Sequence, residues 1–120
     1  MHSEFRVETQ TTGRLTTLTV TGELDLMSTP VLERELERAY VSDAELILLD
    51  LRELAFMDST GLHLLVKAQQ RAEEAGRRLT LTRGREQVQR LLDLTGVSEV
   101  VKIVDSPEEL HEADRAPDGP

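Results

Sequence analysis

The densest chemistry in the chain stands at Asp58-Ser59-Thr60-Gly61, with His63 one helical turn further on. A serine hydroxyl becomes a nucleophile when a positioned base takes its proton. The nucleophile elbow, however, reads G-x-S-x-G, and Met57-Asp-Ser-Thr-Gly61 supplies only the second glycine. A catalytic triad also needs its histidine oriented by a separate buried acid. Asp58, Ser59 and His63 instead crowd onto one helical turn, so a hydrolase is disfavoured and His63 reads as a solvated or interfacial side chain. As plain structure, Asp and Ser are leading N-cap residues, and such a cap is worth about 1 kcal/mol. That account leaves Gly61 unexplained, because a glycine in the first turn costs up to ~1 kcal/mol relative to alanine. A close approach by another backbone, or by a partner, would explain it.

A third reading makes Ser59 a group that other proteins modify. A phosphate would add about −1.5 to −2 charges and three acceptor oxygens. A helix N-terminus tolerates anions, so the fold should survive. A partner pressed against the serine would feel the change, because Asp58 and Asp25 already make the neighbourhood acidic. This reading predicts a switch in binding without a switch in fold.

Other chemistries find less support. Asp50 ends a central strand, as the acceptor of a receiver domain does, but the place for the acidic pair after the first strand reads Thr9-Gln-Thr-Thr-Gly13. His2, His63 and His111 are scattered, with no His/carboxylate pair at ligand spacing, so no metal is expected. Thr82-Arg-Gly-Arg85 lacks the lysine and the spacing of a phosphate-binding loop. No cofactor is predicted.

The elements that must position the serine follow from periodicity. Apolar residues at 46–49, 51 and 54 do not alternate, which is how a central parallel strand buried on both faces reads. Open α/β sheets put their working groups beyond the carboxyl ends of such strands. Before it, Phe5–Gln10 and Leu15–Thr21 predict a hairpin around Thr11-Thr-Gly-Arg14, and the chain is expected to leave the strand at Gly22-Glu-Leu-Asp25. Leu15 has the opposite parity to Leu18 and Val20, so an irregularity or two-sided contact is expected there. Thr29-Pro30 reads as an N-cap and first helical residue, with Leu32, Leu36, Ala39 and Tyr40 as the apolar stripe and an end near Val41-Ser-Asp43.

After the central strand a loop is expected, then a helix from about Ser59 to Ala75 on Leu62, Leu65, Val66 and Ala72, closed by Gly76. A short strand at Leu79–Thr82 precedes a helix at Glu86–Leu94, which buries Val88, Leu91 and Leu92 and stops at Gly96. A last strand at Val100–Val104 precedes a terminal helix opened by the capping box Ser106-Pro-Glu-Glu109 and running through Leu110. The pattern is α/β: a mixed sheet with an N-terminal antiparallel hairpin, later parallel strands with right-handed crossovers, and about four covering helices. One domain over 1–113 and a C-terminal tail over 114–120, frayed from Ala116, are expected.

At 120 residues the chain suits one domain with one core. Only 2% of residues are aromatic, which disfavours stacking on nucleic-acid bases, and a net charge of −9 disfavours phosphate backbones and anionic membranes. A basic protein surface is the natural counterpart. No run approaches the ~20 apolar residues of a membrane span, and Met1-His-Ser-Glu-Phe5 does not read as a signal peptide. The absence of cysteine fits a reducing cytoplasm.

Four stretches in order, Gly22-Glu-Leu-Asp25, Leu49-Asp-Leu51, Phe56-Met-Asp-Ser-Thr-Gly-Leu62 and Arg90-Leu-Leu-Asp-Leu-Thr-Gly-Val97, resemble the STAS domain and, more narrowly, bacterial anti-sigma factor antagonists. The resemblance spans about Phe5 to Leu110. It implies a non-enzymatic partner switch. The unphosphorylated antagonist binds an anti-sigma factor, itself a serine kinase of the histidine-kinase-like ATPase class, and frees a sigma factor. A PP2C-type phosphatase reverses the phosphorylation. By the resemblance Ser59 matches the modified serine, Thr60 is a weaker acceptor, and Asp25, Asp58, Ser59, Thr60 and Gly61 belong to the partner-binding surface. The same resemblance also covers scaffold and stress-signalling modules that do not switch by phosphorylation.

Overall fold

The computed structural model describes residues 5–110. Its elements are β1 (Arg6–Thr12), β2 (Leu15–Leu24), α1 (Thr29–Tyr40), β3 (Leu46–Asp50), β4 (Leu54–Met57), α2 (Ser59–Glu74), β5 (Arg78–Thr82), α3 (Glu86–Thr95), α4 (Val97–Val100) and β6 (Lys102–Val104). A further helical turn occupies residues 107–110. The sheet runs β1-β2-β3-β5-β6, with β4 beside the end of β2. Only the opening hairpin is antiparallel; every later pairing is parallel. This is the mixed α/β sheet expected from the sequence. The proposed division at 113/114, His2, His111 and the tail lie outside the described residues.

Every residue of β3 is buried. On one face Ile47 and Leu49 join Leu18, Val20, Leu81 and the inner sides of α1, α2 and α3. On the other, Leu46 and Leu48 meet Leu15, Val104 and Leu110. The odd parity of Leu15 is therefore two-sided contact: it serves the second core while Leu18 and Val20 serve the first. Each such buried aliphatic side chain stabilises the fold by about 1.5–3 kcal/mol. The terminal turn is capped as the sequence predicts, with Glu109 Oε2 accepting from the Ser106 backbone N–H at 3.1 Å.

Several expectations are corrected. The first strand is Arg6–Thr12 rather than 5–10. Gly22-Glu-Leu24 does not leave the second strand but continues it. The register shifts between Gly22 and Glu23, and Gly22 has a φ of 105°, a conformation that costs glycine little and a side-chain-bearing residue much. The resulting bulge carries the end of β2 away from β3 and onto β4. The sequence predicts loop where β4 stands. The strand has four residues, buried only at its two ends, and so carries no alternation to recognise.

The α1 N-cap is Ser28, which places Thr29 first and Pro30 second in the helix. Along α2 the buried stripe is Gly61, Leu64, Leu65, Ala68 and Ala72, and the expected Leu62 and Val66 are only half-buried. On α3 Gln89 is buried and Leu91 half-buried, because the Gln89 amide is engaged at both ends, by the Gly84 N–H at 3.0 Å and Asp93 Oδ1 at 2.9 Å. Val100 belongs to the short helix α4 and is 59% exposed, so the last strand starts at Lys102.

Candidate functional site

The carboxyl ends of β2 and β4 lie side by side, Leu24 opposite Met57, and each runs directly into a loop that carries an acid. After β4, Asp58 is the N-cap of α2 in extended backbone conformation. Its Oδ1 accepts from the N–H groups of Thr60 at 2.9 Å and Gly61 at 3.2 Å. Its backbone carbonyl accepts the Leu62 N–H at 3.0 Å, and its own N–H donates to the Leu24 carbonyl at 3.2 Å. One residue thus satisfies the orphan donors of the first turn and ties the helix to β2. Asp58→Ala should lower stability by about 1 kcal/mol, read from urea unfolding, while the helical circular dichroism is retained.

After β2, Asp25 makes a tight turn. Its Oδ1 accepts from the Met27 and Ser28 N–H groups, both at 3.1 Å, and from the Ser28 hydroxyl at 3.1 Å. The Ser28 hydroxyl also reaches the Glu23 carbonyl at 2.7 Å, which is why it does not cap α1. Asp25 therefore holds the loop before α1 as Asp58 holds the start of α2. Both acids are half-buried.

Ser59, the first residue of α2, is exposed, and among the described residues its hydroxyl has no internal hydrogen-bond partner. No hydrogen bond joins it to His63, which is also exposed. Thr60 is half-buried and faces the seam between α1 and α2. Gly61 is buried, and the close approach it permits comes from within the fold. A Cβ there would stand 2.8 Å from Met57 Cγ and 2.9 Å from Leu24 Cγ. The structure thus brings Asp58, Ser59, Thr60 and Gly61 together at one helix start, with Asp25 on the adjoining strand end.

Sequence reasoning missed the apolar part of this end. Leu26 and Met27 are 70% and 84% exposed at the tip of the Asp25 turn, and Val31 on α1 and Phe56 on β4 are also partly exposed. A signal was present: two large apolar residues between Asp25 and Ser28 belong to no periodic stripe. The groove lined by Thr29, Glu33, Thr60, His63 and Lys67 has a volume of only about 180 Å³. That is below the ~300 Å³ at which small-molecule sites begin.

Behind β4 the Asp50 carboxylate locks the loop that leads to it. Arg52 forks onto it, Nε to Oδ1 and Nη2 to Oδ2, both at 2.9 Å, and the Arg52 N–H adds a bond at 3.1 Å. The Thr82 hydroxyl donates to Oδ1 at 3.4 Å and accepts from the Leu51 N–H at 2.8 Å. Burial pushes this carboxyl up. The hydrogen bonds and charge of Arg52, with Thr82, outweigh it and hold the carboxyl below its ordinary value. In turn Arg85 donates to the Arg52 carbonyl at 3.0 Å.

One end of the mixed sheet therefore carries an exposed hydroxyl, two half-buried acids and exposed apolar side chains. A family model for the STAS domain matches residues 6–110, and the chain belongs to that family. It is 32% identical over 84 residues to an anti-sigma-B factor antagonist of Listeria monocytogenes, a match covering 70% of this chain and 74% of the relative. Its fold superposes on an anti-sigma factor antagonist from Mycobacterium paratuberculosis with a TM-score of 0.83 at 18% identity, covering 93% and 95% of the two chains. It superposes on the Bacillus cell fate determinant SpoIIAA in its phosphorylated form with a TM-score of 0.69 at 21% identity, covering 93% and 100%. Among the described residues no helix is long and apolar enough to cross a membrane.

Proposed function

We propose that this chain is a cytoplasmic, non-enzymatic anti-sigma factor antagonist. Its unphosphorylated form binds an anti-sigma factor of the histidine-kinase-like ATPase class and so releases a sigma factor. That partner phosphorylates Ser59, with Thr60 the weaker acceptor, and a PP2C-type phosphatase restores the serine. Asp25, Asp58, Ser59 and Thr60 form the docking surface with Leu26 and Met27. Gly61 contributes by letting the helix start sit close against β2 and β4.

The observation that carries this reading is the state of the Ser59 hydroxyl: exposed, free of internal bonds among the described residues, and on a helix turn most of whose donors are already used. Asp58 occupies the N–H groups of Thr60, Gly61 and Leu62. A phosphate on Ser59 therefore finds few donors left to fold down onto. It stands out beside two carboxylates and changes the surface charge where a partner lands. The names of the relatives, and the existence of a phosphorylated form of a protein with this fold, support the same reading.

The test is capture of the kinase from host lysate, with its identity read by mass spectrometry. Wild type and Ser59→Ala should retain a histidine-kinase-like ATPase, and Ser59→Asp should retain roughly tenfold less or none. Its circular dichroism should stay native. Equal capture of that ATPase by Ser59→Asp would overturn the switch and leave a scaffold.

A further inference from the structure

The charged pairs between α1 and α2 keep a fixed step. Lys67 meets Glu33 at 3.8 Å and Arg71 meets Glu37 at 2.8 Å, so both partners advance by four residues together. The two helices therefore run side by side in one direction, with one row of α2 facing one row of α1. Continued toward the helix start, the α2 row reads Arg71, Lys67, His63 and Ser59. The α1 row reads Glu37, Glu33 and Thr29. His63 and Thr29 line the same groove, as the step requires. Here the pattern breaks. Thr29 is buried and carries no charge, and its hydroxyl donates to the Leu26 carbonyl at 3.4 Å. Among the described residues, the His63 rung is the one that lacks an acid.

Ser59 and His63 stand at positions i and i+4 of one exposed helix face, where Cβ atoms are about 6 Å apart. Helical side chains lean toward the N-terminus, so the His63 ring projects over the turn that begins at Ser59. The serine hydroxyl is too short to bond to it. A phosphoryl group on that hydroxyl carries its oxygens two bonds further out, where an imidazole N–H can meet them. Backbone donors compete little, because Asp58 Oδ1 already holds the Thr60 and Gly61 N–H groups. The charged groups around the ring are engaged elsewhere. Glu33 and Lys67 share its groove and pair with each other. At the adjoining strand end Asp25 Oδ1 accepts from Met27 and Ser28.

We propose that His63 is the internal partner of a phosphate on Ser59, and that the modified protein carries a phosphate–imidazole latch lying along α2. The latch rests on the reading of Ser59 as the modified residue and supplies the acid that its rung lacks. His63 is then a positioning residue for the modified state alone: it holds the phosphate down on the docking surface. An imidazolium favours the phosphate dianion and the dianion favours the imidazolium, so the two groups titrate as a coupled pair. Ordinary values are about 6 for the phosphate and about 6.5 for histidine, so the latch is firmest near that range, where both charges coexist.

Protein synthesised with phosphoserine inserted at position 59 tests this without any kinase. In a pH titration followed by phosphorus NMR, the phosphate midpoint of wild type should lie about 0.5 pH units below that of His63→Gln, roughly a threefold change in proton affinity. His63→Lys, charged throughout the range, should restore the low midpoint. Circular dichroism should be native in all three, since residue 63 is exposed. Equal midpoints in wild type and His63→Gln, or a lysine variant that behaves like the glutamine one, would overturn the latch and leave the Ser59 switch standing. The switch itself stands or falls on the capture experiment with Ser59→Asp, which the midpoints do not enter.

Discussion

Gly61→Val is expected to lower the stability of the domain by about 3 kcal/mol, with a fall in Tm on the order of 10 °C. The added carbons enter a space already taken by Leu24, which is fully buried, and Met57, which is 5% exposed. The nearest atoms, 2.8 and 2.9 Å from the Cβ alone, are the Cγ atoms of those side chains and not their flexible tips. Relief therefore requires β2 or β4 to shift, and both carry acids of the candidate site. Gly61→Ala makes the sharper comparison. A glycine kept for an external partner would leave alanine room, and the helix would gain up to about 1 kcal/mol. Here overpacking exceeds that gain, and a net loss of about 1 kcal/mol is expected. Chemical denaturation of the two variants decides the matter, and an alanine variant more stable than wild type would refute the packing account.

The second large effect is at Asp50. Asp50→Asn keeps the shape but removes the charge that Arg52 forks onto, and should cost about 2 kcal/mol at neutral pH. Arg52 is half-exposed and can return to water, so the loss stays below that of a fully buried pair. The pH dependence has a definite sign. Because the folded-state carboxyl lies below its ordinary 3.8, the charged form stabilises the fold fully above that value. The contribution disappears as pH falls through the folded-state value. Urea unfolding should therefore show a wild-type advantage that is constant from pH 5 to 7 and narrows below about pH 4. An advantage unchanged at pH 3 would place the effect in packing and not in charge.

Much of the site was legible in the chain because its signals are local. Asp58 and Ser59 announce a helix start by residue type alone, and the run of apolar residues from Leu46 marks the central strand. What escaped depends on partners distant in sequence. β4 exists because the bulge at Gly22 swings β2 over to meet it, and four residues with two buried ends cannot reveal that alone. The inner face of α2 is hard to read from the sequence for a related reason. Its stripe runs through Gly61 and Ala68, which have little hydrophobic weight, so Leu62 and Val66 outweigh it from a neighbouring face. Val100 was drawn into the last strand by β-branched neighbours, although α4 turns it outward. The Asp50 lock needs Thr82, a residue on another strand that no spacing rule connects to it.

The forked course of β2 has a consequence for timing. One strand pairs with β3 along its first half and β4 along its second, so the Asp25 turn and the Ser59 helix start share a single stiff mount. The two loops leave directly paired strand ends, Leu24 opposite Met57. Under the switch proposed above, each molecule is read as on or off from its own surface charge the moment it is modified. Binding capacity then falls in direct proportion to the modified fraction, without lag or threshold. Any steepness in the response of a cell then arises outside this fold, in the modifying enzymes or in the ratio of copies between antagonist and partner.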